Sequence, residues 1–163
     1  MELCVEDNPD PLVAAMLEAQ VRRETVAACG HGDDVELAVL ARDGGAVRAG
    51  VYGWTWGGCC ELENLWVEPS LRGQGLGSRL LAAAETAALE RGCRQVVLFT
   101  YELQAPGFYE RRGYELVGRV NDYPADTAAL WFRKRLSLES AATIYDSAPA
   151  ARNDHPIRDT DTR

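Results

Sequence analysis

The 163-residue chain has the size of one ordinary domain, and its 47% apolar content is enough for a buried core without disulfides or a structural metal. Asp and Glu number 25 against 17 Lys and Arg, a net charge of -8 that repels phosphate backbones and anionic lipid, so nucleic acid and membrane surfaces are poor partners while a small cation is attracted. Five cysteines, an odd number without metal-ligand spacing, read as reduced thiols in the cytoplasm. Neither a basic-then-apolar leader nor an apolar run of about 18 residues is present.

In chain order, Glu2 to Glu6 reads as a short first strand. Asp10 then caps a helix with Pro11 at its first position, and Leu12, Val13, Met16, Leu17 and Val21 recur at helical spacing. Residues 30–34 form a loop. Val35 to Arg42 and Val47 to Trp56 read as strands joined at Asp43-Gly44-Gly45, and Gly57-Gly58 turns the chain into a further strand, Cys59 to Glu68. The period then changes. Ser78 to Arg91 places Leu80, Leu81, Ala84 and Ala88 on one helical face and ends at Gly92. Gln95 to Thr100 reads as a buried strand, Pro106 to Arg112 as a short helix, and Tyr114 to Val117 and Ala128 to Arg135 as closing strands. The domain is expected over residues 1–136, with 137–163 a polar, flexible tail.

The chemically informative segment runs from Leu65 to Ser78, a strand that passes through a glycine-rich turn into a helix. Glycines let the backbone approach a ligand, and the helix start offers N–H donors and a positive dipole end, together an anion site. The segment lacks the Gly-Lys-Ser/Thr of a nucleotide P-loop and the downstream acid of a dinucleotide fold.

Arg72, Gly75 and Gly77, preceded by Val67-Glu68-Pro69, resemble the Arg/Gln-x-x-Gly-x-Gly/Ala cofactor motif of the GNAT superfamily of N-acetyltransferases. The run from Ala105 through Tyr109 to Gly113-Tyr114 resembles a second element of that superfamily, and Glu102 stands where many members carry Asn. The resemblance spans about residues 35–136. It implies an α/β (α+β) fold with a mixed, mostly antiparallel sheet of six to seven strands, flanked by helices and splayed between the fourth and fifth strands. In that gap the pantetheine of acetyl-CoA would lie along the backbone of Leu65, Trp66 and Val67. The diphosphate would meet Arg72, Gly73, Gln74, Gly75, Leu76, Gly77 and Ser78. Members transfer acetyl directly, which suits a chain whose only histidines, His31 and His155, sit in a loop and a tail.

Direct transfer needs a proton for the departing thiolate and an unprotonated amine. Tyr109 matches the superfamily tyrosine and is the expected general acid, with packing against the cofactor arm as its alternative. Glu61 and Glu63 share a strand face at period two; Glu61 best matches a position used as base, a strand bulge would swap their orientations, and water is the alternative. Trp54, Trp56 and Trp66 are candidates for an aromatic acceptor pocket, or else pack on the sheet. His31 and Asp122 (with Asp126) are candidate acceptor contacts in loops. Arg111-Arg112 reads as a solvated helix end, and Cys59-Cys60 as inert.

The expected function is acetyl-CoA-dependent acetylation of a small cationic amine such as an aminoglycoside-type or other amine antibiotic or a polyamine, without a metal. A protein or peptide N-acetyltransferase and a non-catalytic acyl-CoA-binding module are the alternatives, and a homodimer is compatible with the exposed closing strands.

Overall fold

Local chemistry starts the chain's order at Asp10. Its carboxylate accepts from Leu12 N (2.9 Å) at the head of helix α1, Pro11–Cys29, and Gly30 closes that helix in the left-handed region. A computed structural model describes residues 3–137. In it the expected first strand is absent: residues 3–6 pair with nothing, and Leu3 and Val5 stand exposed. A strand forms only with a partner edge, and this segment is paired to neither free edge of the sheet. The apolar spacing of α1 gave the helix correctly but not its burial, since no α1 residue is buried.

Six strands follow: β1 (Val35–Asp43), β2 (Ala46–Trp56), β3 (Cys59–Val67), β4 (Gln95–Tyr101), β5 (Glu115–Asn121) and β6 (Ala128–Arg135). They form one sheet in the order β1-β2-β3-β4-β6-β5, in which only the β3–β4 pairing is parallel. The parallel step needs a crossover, and helix α2 (Leu76–Glu90) supplies it across one sheet face. Its buried stripe of Leu80, Leu81, Ala84 and Ala88 meets Leu37, Val51, Cys60 and Leu62 from the first half of the sheet, with Val96, Leu98 and Phe132 from the second.

One buried carboxylate ties the two halves together. Glu85 of α2 accepts from Tyr114 OH (3.0 Å) and from Lys134 Nζ (2.7 Å), so the charge is both paired and hydrogen-bonded. Burial, reinforced by the Glu85 carboxylate, pushes the Tyr114 phenol far up, which keeps it a donor.

Two irregularities shape β3. Its pairing with β2 slips between Tyr52 and Gly53, so that Tyr52 faces Asn64 while Gly53 faces Leu62, leaving Glu63 as the extra residue of a bulge. Gly53 is required there: a Cβ would lie 1.9 Å from the Glu61 carbonyl oxygen. The second irregularity is the splay. β3 and β4 pair only from Cys59 to Leu62 and from Gln95 to Leu98, although β3 runs on to Val67 and β4 to Tyr101. The expected opening between these strands is therefore present. The expected tail lies, apart from Ser137, outside the described residues.

Candidate active site

The strands part where their ladder ends, and a cleft of about 830 Å³ fills the gap. One wall is β3 from Glu63 to Val67; the other is Phe99 and Thr100 of β4, continued by residues 103–105. The floor is the turn after β3 and the start of α2. Its far side is helix α3, Pro106–Glu110, with Phe108, Tyr109 and, just beyond the helix, Arg112.

The turn is built for close approach. Gly73 and Gly75 hold φ of 76° and 78°, values that suit glycine, and at Gly75 no atom lies within 4 Å of a would-be Cβ. Gly75 caps α2 without any side-chain hydrogen bond, and no acidic residue stands in the first turn. The first N–H groups of a 15-residue helix thus face the cleft with its dipole uncompensated. Arg72 is turned inward by a bond from its Nε to Val67 O (2.9 Å). A Cβ added at Gly77 would lie 3.5 Å from the Phe108 ring, an ordinary contact distance.

Tyr109 stands on the opposite wall. Its ring is wedged among Phe108 (5.1 Å), Tyr114 (5.9 Å) and Phe132 (6.0 Å), and burial raises its pKa. The phenol therefore remains protonated throughout the neutral range, and no described residue accepts its hydrogen. A phenol hydroxyl without a described acceptor is thus available on a residue that lines the cleft.

The bulge separates the two strand carboxylates. Glu63 lines the cleft; Glu61 does not, and its Oε2 instead accepts from Trp54 Nε1 (3.2 Å) across the β2–β3 ladder. Strict alternation would have kept the pair together, and the extra residue at Glu63 breaks that alternation.

The remaining residues to which the sequence pointed divide by the end of the sheet they occupy. Leu65, Trp66, Val67, Arg72, Gly73, Gly75, Leu76, Gly77 and Ser78 all line the cleft, whereas the Gln74 side chain turns back to Ser70 O (3.2 Å). Trp56 donates from Nε1 to His31 O (2.9 Å) beside the β2–β3 turn. That turn is about 20 Å along β3 from Leu65 at the usual rise, so His31 and Trp56 are not brought to the cleft. Trp54 is held on the sheet by Glu61. Asp122 lies in the β5–β6 turn, at the cleft end of the sheet but outside the lining, with φ of 56° and its N–H donated to Thr127 O (2.8 Å).

Sequence reasoning missed Asn64, Phe99, Thr100, Gln104 and Arg112, which also line the cleft. Asn64 follows the bulge, which the Gly53 position alone could have flagged. Arg112 is not the solvated helix end it resembled: it is half-buried, with its guanidinium 3.7 Å above the centre of the Phe108 ring. The cysteines offer no nucleophile here. Burial pushes the Cys60 thiol up to about 12, and no described cysteine lines the cleft.

Comparison with known proteins agrees with this geometry. Residues 4–114 match the Acetyltransferase (GNAT) family. A blasticidin-S acetyltransferase of Streptomyces morookaense is 39% identical over 125 residues, covering 74% of this chain and 85% of the relative. An acetyltransferase of Agrobacterium fabrum is 33% identical over 127 residues, covering 77% and 86%. Among solved structures, an acetyltransferase from Bacillus cereus superposes with a TM-score of 0.71 at 28% identity, covering 82% of this chain and 98% of that one. The chain belongs to the GNAT acetyltransferase family and is an acyltransferase.

Proposed function

We propose that the protein transfers the acetyl group of acetyl-CoA directly to an amine of a small cationic molecule of the antibiotic type. The observation that carries this reading is the continuity of one cleft: an open strand edge, a helix N-terminus free of side-chain caps, and a protonated tyrosine line it together. These three features match the three parts of an acyl-CoA, an amide-bearing arm, a diphosphate and a thioester. The relative at 39% identity is named for acetylating blasticidin S, which supports an antibiotic-type amine.

In this reading the pantetheine lies against Leu65 to Val67 and the diphosphate against Gly73 to Ser78. The acceptor amine attacks the thioester carbonyl, forming the N–C bond as the C–S bond breaks. Tyr109 donates to the departing sulfur. Glu63, rather than Glu61, takes the amine proton directly or through a water, because Glu63 is the carboxylate on the cleft wall. Trp66, 48% exposed and lining the same cleft as Glu63, offers an aromatic face to the cationic part of the acceptor. The protein works in the cytoplasm, where its thiols stay reduced.

The test has two arms. Incubated with acetyl-CoA alone, the protein should gain no acetyl mass, whereas an acetyl-enzyme would contradict direct transfer. Offered cationic antibiotics, polyamines and basic peptides, it should acetylate the small molecules, whereas acetylation of peptides alone would replace the acceptor class.

A further inference from the structure

Of the three half-buried arginines among the described residues, two are matched to carboxylates: Arg48 with Glu68 and Arg133 with Glu115. Arg112 is an exception. Among the described residues it has no carboxylate within ion-pair distance, although it is half-buried and loses hydration there. The carboxylate that acts on it electrostatically, Glu85, is already engaged by Lys134 and Tyr114.

Its position is equally unusual. Nη1 donates to Phe108 O (2.7 Å), Nη2 donates to Ser78 Oγ, and the planar group lies over the Phe108 ring. Ser78 is the third residue of α2, so a fixed cation has been set against the positive end of a helix. Cation and dipole repel there unless an anion lies between them. A guanidinium has five N–H donors, of which these two bonds use two, and the remainder are free for a ligand in the cleft it lines.

We propose that Arg112 is the side-chain cation for the diphosphate of acyl-CoA, closing over it from α3 while the glycine turn and Arg72 hold it from the other side. This assignment rests on the acyl-CoA reading of the cleft. The diphosphate is preferred over the more distal 3′-phosphate because Ser78, in the first turn of α2, is the group Arg112 already touches. Its bond to Phe108 O also joins the anion site to the helix that carries Tyr109.

The experiment is calorimetric binding of CoA and of dephospho-CoA, which lacks the 3′-phosphate, to the wild type and to Arg112→Met, Arg112→Lys and Arg111→Met. Loss of a charged hydrogen-bond donor should weaken both ligands about 10- to 100-fold in Arg112→Met. Arg112→Lys should recover most of that loss, and Arg111→Met, the same charge change on an exposed neighbour, should stay within about 3-fold. Unchanged affinity in Arg112→Met would overturn the proposal. So would a loss confined to CoA, which would move the contact to the 3′-phosphate. An Arg112→Lys variant as weak as Arg112→Met would reduce the residue to a brace between α3 and α2. A wild type that binds neither ligand would instead overturn the acyl-CoA reading beneath it.

Discussion

Two residues on facing walls divide the proton traffic, and each can be removed separately. Tyr109→Phe deletes one hydroxyl from a ring held by Phe108, Tyr114 and Phe132, so packing should survive. Turnover should fall by about 10²-fold while acetyl-CoA affinity stays within about 2-fold, read by steady-state kinetics beside calorimetry. Because burial raises the Tyr109 pKa above its ordinary value of 10.0, its protonated form is lost only above that pH. The rate should therefore rise as the acceptor amine loses its proton and show no decline up to about pH 10; a fall centred near pH 8 would exclude Tyr109 as donor. Glu63→Gln should cost about 10²-fold in kcat, whereas Glu61→Gln, at a carboxylate bonded to Trp54 outside the cleft lining, should cost less than about 3-fold. The reverse order would return the base to Glu61.

The elements matter because they aim those residues. The bulge in β3 turns Glu63 to the cleft and needs Gly53 opposite, where a Cβ would collide with a backbone oxygen that cannot swing away. Gly53→Ala should cost about 1–3 kcal/mol, lowering Tm by roughly 4–10 °C, and should depress kcat together with stability. Gly77→Ala places its Cβ 3.5 Å from the Phe108 ring, an ordinary contact, and should leave Tm nearly unchanged. A thermal melt of both variants reads the difference. These elements also show what the sequence could disclose. The turn at residues 43–45, the Asp10 cap, the stripe on α2 and the glycine turn are local signals, and the strands and helices they predict are found. The splay followed from resemblance to a family, since no single residue encodes a missing ladder. What escaped depended on distant partners. The segment at residues 3–6 has strand composition but pairs with neither edge of the sheet, and α1 has an apolar stripe but buries none of it. Alternation put Glu61 beside Glu63 until the bulge intervened. Arg112 read as a surface residue because Ser78, in α2, meets it only on folding, although its ring partner Phe108 stands just four residues before it.

At the scale of the whole molecule, the net charge of -8 acts on the two substrates in opposite directions. A polycationic amine is drawn toward the surface, and kcat/KM for it should fall several-fold as ionic strength rises from about 0.01 to 0.5 M. A neutral amine should show no such dependence. The polyanionic acyl-CoA meets the opposite field and relies on a local exception to it, the α2 N-terminus with Arg72 and Arg112. No helix among the described residues is long and apolar enough to cross a membrane. The most direct test of the central claim is the mass of blasticidin S after incubation with the protein and acetyl-CoA, run beside an aminoglycoside and a polyamine. The account predicts a gain of one acetyl group on at least one of these amines, matched by one CoA released and abolished or strongly slowed by Tyr109→Phe. Tight CoA binding with no acetylated product from any of them would contradict it.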